Sequence, residues 1–163
     1  MKRMTPKVRK FVYLAHIVFS LGWLGAVVAY LAVAVAGLAS GDADMGAAYL
    51  SMNMIGQFVI IPFSLATLLT GLVQSLGTEW GLFRHYWVAT KFVLTLGAII
   101  ILLLHMPTVS RMSEAAQTAL ANGHFGDVRI QLIVHAVGGL LVLLVTAVLS
   151  VYKPWGRTGY GAV

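Results

Sequence analysis

Four ionisable side chains, His16, Lys91, His105 and His135, fall inside long apolar runs. Hydrocarbon does not tolerate such groups cheaply, so each is a candidate for chemistry. Imidazole ligates metals and moves protons near neutral pH; the Lys91 ammonium, about one and a half turns above the inner boundary, can either snorkel to the head groups as a structural lysine or act as a counter-charge for an anion. Lys91 and His105 are 14 residues apart, about 21 Å along a helix axis and within roughly 40° of one face. One helix therefore turns both toward the same interior. His135 is followed one turn later by Gly138 and Gly139, which leave room for a flat ligand or a close helix, and His16 shares a face with Ser20, Trp23, Val27 and Tyr30.

A second set is polar but uncharged. Asn53, Gln57, Ser64, Thr67, Gly71 and Gln74 follow one another at intervals of 4, 7, 3, 4 and 3 residues, which confines them to one face of a helix. Such a stripe is expected to face a bundle interior, where it would line a cofactor or watery cavity; the same groups also serve to glue helices together.

Two histidines near one membrane boundary on facing helices can ligate a b-type haem from both sides. The expected cofactor-binding set is His16, Lys91, His105, His135, Asn53 and Gln57, with His105 and His135 as axial ligands and Lys91 opposite a propionate. His16 would stand near a second, inner haem or metal position. Copper competes, because Met45, Met52, Met54, Met106 and Met112 fall on the same side as His105, His124 and His135, and thioether with imidazole suits Cu(I). His85 is expected at the interface and solvated. A histidine in a span can also simply pack. With no cysteine, thiolate metal sites, iron–sulfur clusters and c-type haem are excluded. All five acidic residues fall in expected loops, and no HExxH occurs, so zinc hydrolysis and a Ser/His/Asp hydrolase lack support.

The elements that position these groups follow from composition. Of 163 residues, 60% are hydrophobic and 10% charged, with a mean hydropathy of +0.89. That balance predicts a single all-α integral membrane domain of four spans, drawn at Phe11 to Leu38, Tyr49 to Leu76, Tyr86 to Met106 and Ile130 to Tyr152. Pro62 should kink the second. The net charge of +6 resides mostly at the chain ends, in Lys2, Arg3, Lys7, Arg9, Lys10, Lys153 and Arg157, a positive-inside pattern rather than a nucleic-acid patch. With Arg84 in the short second loop and only Arg111 and Arg129 opposite, both termini are expected in the cytoplasm. Trp80, Tyr86, Trp87, Tyr152 and Trp155 would form an inner aromatic belt. In the longer outer loop, Ser113 to Ala121, stopped by Asn122-Gly123, predicts a short surface helix.

The runs AHIVFSLGWLGAVVAYLAVAVAG, TGLVQSLGTEWGLFRHYWVATKFVLTLGAIIILLLH and SVYKPWG resemble a family of bacterial four-span membrane proteins of unassigned function, over nearly the whole chain. His16 with Trp23 and Gly25, Lys91 with the following His105, and Lys153-Pro154 are more distantly similar to the HemJ-type protoporphyrinogen oxidases, small membrane proteins that bind haem b. The copper resistance protein D family has similar helices. The distant resemblance implies haem rather than a particular reaction; with the histidines, the expectation is a bacterial inner-membrane, cytochrome b-like protein in electron transfer or haem-dependent oxidation, of a quinol or porphyrinogen. Copper handling is the alternative, and a structural module without cofactor the third reading.

Overall fold

The computed structural model describes residues 4–39, 42–117 and 126–159. Its regular elements are helices: α1 (Pro6–Ala39), α2 (Asp42–Ile55), a π-helical segment Gly56–Ile60, α3 (Ile61–Gly77), α4 (Tyr86–Gln117) and α5 (Gly126–Tyr152). Since α2, the π segment and α3 run end to end, they make one crossing. Among the described residues, four helices are long and apolar enough to cross a membrane, over Pro6–Ala39, Gly46–Gly77, Tyr86–Ala115 and Ile130–Tyr152.

The crossings form a square bundle. The first packs against the second and fourth, and the third against the second and fourth, which places α1 and α4 on a diagonal. On α1 the buried residues Trp23, Ala26, Val27, Tyr30 and Ala34 recur at helical spacing and form one wall of the core. Tyr49 and Met52 of α2, Met106, Val109 and Met112 of α4, and Leu132 of α5 fill the end of the bundle away from the chain termini. Both chain ends lie together at the opposite end: the Met4 N–H donates to the Gly77 carbonyl at 3.2 Å and the Thr158 N–H to the Arg84 carbonyl at 2.9 Å. These segments and the 78–85 loop make up the terminal end of the bundle.

Pro62 is accommodated by the π turn just before it. Proline has no N–H, and its ring would press on the carbonyl four residues back in a regular helix. Here the Ile61 N–H instead donates to the Gly56 carbonyl, five residues back, which opens the turn around the ring.

The surface helix expected from Ser113 does not begin there. α4 runs without a break through Pro107 to Gln117, so 113–117 is the continuation of the third crossing; Thr118 to Ala121 and the Asn122-Gly123 stop lie outside the described residues. The reason is burial: Val109 (0% exposed), Met112 and Ser113 (1%) all face the core beyond the proline. That packing holds the helix although Pro107 removes one of its hydrogen bonds.

Candidate functional site

The terminal half of the bundle gathers polar groups from all four crossings. His16 of α1 meets α3, with Nδ1 at 3.1 Å from Thr70 Oγ1. The Thr70 hydroxyl has a single hydrogen, which is directed to the Ala66 carbonyl at 2.6 Å, with the Thr67 carbonyl at 3.2 Å. Toward His16 the Thr70 oxygen can then only accept, so this contact, beside a further hydrogen bond to the Thr67 backbone, favours the tautomer with the proton on Nδ1 and the lone pair on Nε2. The ring also lies on Gly71: a Cβ there would stand 3.0 Å from His16 Cε1. Glycine at 71 therefore admits the imidazole to the interface, and Thr70 favours one tautomer.

Lys91 comes from the diagonal helix, within electrostatic reach of His16. Its ammonium donates to Ser150 Oγ of α5 and lies 5.8 Å from the Trp87 ring centroid. Ser150 in turn donates to the Thr146 carbonyl at 2.9 Å. Both partners of Lys91 among the described residues are neutral. Thr67, buried beside this level, leaves its hydroxyl without a hydrogen-bond partner among the described residues. A cation, a lone-pair imidazole and a spare hydroxyl thus occupy one layer with no carboxylate among them. Chemically, that layer can donate to an oxygen or anion and accept a proton.

At the far end, His105 of α4 and His135 of α5 lie face to face, ring centroids 4.2 Å apart and planes within 14°. His135 Nδ1 is 2.7 Å from the Gln131 carbonyl; a carbonyl can only accept, so this ring too is protonated on Nδ1 and has a free Nε2. His105 Nε2 is buried and without a partner among the described residues. The expected sandwich of a haem between these rings does not fit this packing. To hold a haem between them, His105 and His135 would each have to present a ring nitrogen to it, whereas these rings present their faces to each other. Of the expected copper cluster, Met52, Met106 and Met112 are core residues, and Met106 seats its thioether where a Gly56 Cβ would be, against the second crossing. Met54 is 53% exposed. The side chain of Met45 and His124 lie outside the described residues.

The uncharged stripe of the second crossing is divided by the π turn. Asn53 before it and Gln57 within its first residues face α4: Gln57 Nε2 donates to Ser110 Oγ at 3.3 Å, and Ser110 Oγ donates to Asn53 Oδ1 at 3.0 Å. Below it, Thr67, Thr70 and Gly71 belong to the His16 layer. A five-residue turn rotates the rest of the helix by about a quarter turn relative to a regular α-helix, so one face in the sequence becomes two in the fold. Asn53 and Gln57 are therefore apart from His16 and Lys91. Thr70 and Ser110 are not among the residues that spacing singles out. Thr70 carries the signal nonetheless, since it lies three residues from Thr67 and four from Gln74 on the same stripe. His85, expected solvated, is half-buried; its Nδ1–H donates to the Trp80 carbonyl at 2.7 Å and its ring packs against Trp80 and Trp87.

Fold and site together define a polytopic four-helix bundle with two histidine-bearing layers. No family model, curated protein or solved structure matches the chain.

Proposed function

We propose that this chain binds a lipid-soluble redox molecule with an oxygen-bearing head, a quinone or quinol, at the His16/Lys91 layer. The observation that supports it is Lys91, a membrane-embedded ammonium whose partners are a hydroxyl and an indole face. An ammonium drawn into the bundle carries a desolvation cost, which suits a ligand-binding role better than packing. The Lys91 ammonium donates to a head-group oxygen, and His16 Nε2, whose lone pair the Thr70 contact favours, accepts a proton from a quinol hydroxyl. An isoprenoid tail stays in lipid, so the layer need admit only the head. A porphyrinogen carboxylate would meet the same ammonium. Both termini lie in the cytoplasm of a bacterial inner membrane in this reading, which puts the layer in the cytoplasmic half.

Solvent extraction of protein purified in mild detergent, followed by ultraviolet spectroscopy of the extract, tests the proposal. A quinone recovered with the parent and lost from Lys91→Met is expected. Equal recovery from both, or none from either, would overturn it.

A second reading has its own observation: among the described residues the buried Nε2 of His105 has no partner, and the ring stacks on His135, whose Nδ1 is engaged by the Gln131 carbonyl and whose Nε2 is its remaining ligating nitrogen. Coordination would satisfy both nitrogens. A copper ion asks for a small turn of each ring, whereas haem b asks the helices to part. Visible spectra before and after dithionite, with metal analysis, separate them: sharpened α and β bands on reduction denote six-coordinate haem, and copper without those bands denotes the ion.

A further inference from the structure

The chain after α5 is bent into an unusual and well-tied shape. Lys153 has φ 46° and Trp155 φ 63°, a left-handed conformation that non-glycine residues adopt at a cost and only where surrounding contacts impose it. Those contacts are present. His85 and Arg157 form an antiparallel bridge, the Thr158 N–H donates to the Arg84 carbonyl, the Thr158 hydroxyl donates to the Phe83 carbonyl, and the Lys153 ammonium stands 5.0 Å from the Trp80 ring centroid. The tail is thereby clasped to the 78–85 loop.

The clasp builds a groove. Trp155 and Gly156 form one wall, and Tyr86 and Thr90 the other, around an open volume of about 490 Å³. Trp155 is 61% exposed and Tyr86 53%, so both present their surfaces to whatever fills it. Tyr86 is the first residue of α4 and Trp155 comes three residues after α5 ends, so the groove opens where hydrocarbon gives way to head groups. Arg157, exposed, directly follows Gly156 in the chain, and Arg84, also exposed, precedes Tyr86 by two residues. The same α4 face continues inward as Thr90, Val93 and Gly97, at helical spacing; Val93 is 64% exposed and the space beside the Gly97 Cα is open. A cationic, donor-bearing mouth above a smooth apolar track matches a phosphodiester with an acyl chain.

We propose that this groove is a specific site for one anionic phospholipid, with its phosphate at the Trp155/Tyr86 mouth beside Arg157 and an acyl chain along Thr90, Val93 and Gly97. Indole N–H, phenol O–H and guanidinium all donate to phosphate oxygens, and a bilayer places that phosphate at this depth. The site is separate from the His16/Lys91 layer, and its occupancy does not depend on what that layer binds.

The test is thermal unfolding of the full chain in neutral detergent, with phosphatidylglycerol, phosphatidylcholine or inorganic phosphate added, alongside native mass spectrometry. Phosphatidylglycerol is expected to raise the midpoint by several degrees more than phosphatidylcholine, with one lipid retained per chain. Both effects should shrink in Arg157→Gln and in Trp155→Ala. Equal shifts from the two lipids, or an undiminished preference in both variants, would overturn the proposal. An equal shift from inorganic phosphate would overturn the lipid assignment.

Discussion

Lys91 places its amine among neutral partners, a hydroxyl and an indole face, and the desolvation of its ammonium is a cost to the parent chain. An apolar side chain of similar length carries no such desolvation cost. Lys91→Met is therefore expected to melt at a higher temperature than the parent in detergent while losing its ligand, a pairing that a merely structural lysine would not show. Thr70 acts through His16. In Thr70→Val the Nδ1–H of His16 loses its hydroxyl acceptor beside the Thr67 backbone bond, and ring-nitrogen NMR should show more of the other tautomer than in the parent; Thr70→Ser should restore the parent pattern. That His16 and Lys91 share a level was legible from their positions in the spans, and the hydroxyl stripe from its spacing. How the rings would lie was not. The stacking of His105 on His135 depends on rotamers set by neighbours from other helices, and no periodicity records those.

The π turn shows what a sequence can and cannot announce about a helix. Pro62 marks the position of a backbone conflict, but a kink and a widened turn relieve that conflict equally well. Only the second rotates the face, and with it goes the single stripe expected from Asn53 to Gln74. The rotation is testable because the chain has no cysteine of its own. With cysteines in place of Asn53 and Ser110, a short thiol crosslinker should join α2 to α4 efficiently, and adding Pro62→Ala, which lets a regular helix form, should reduce the yield several-fold. The extension of α4 past Pro107 has a similar cause: a local stop signal yielded to the burial of Val109, Met112 and Ser113, which no local reading could weigh.

The four crossings were legible because hydrocarbon imposes them: each backbone polar group in lipid must bond within its own helix, and about 20 apolar residues are needed per crossing. The square arrangement, with α1 and α4 on the diagonal, was not, and it is what carries His16 and Lys91 toward each other across the bundle axis. The proposed orientation, with both termini in the cytoplasm, rests on where the basic residues cluster. Single cysteines at Thr5 and Gly159 are expected to react with a membrane-impermeant thiol reagent only after the cytoplasmic face is opened, and one at Ala47 in intact spheroplasts; the reverse pattern would place the His16/Lys91 layer in the outer half.

Titration of the detergent-solubilised protein with a short-chain benzoquinone, followed by quenching of tryptophan fluorescence, tests ligand binding at this layer most directly, because Trp87 packs beside Lys91. Saturable quenching is predicted for the parent, weakened at least tenfold in Lys91→Met and in His16→Ala and unchanged in His135→Ala. Equal affinity in all four proteins, or quenching that never saturates, would contradict it.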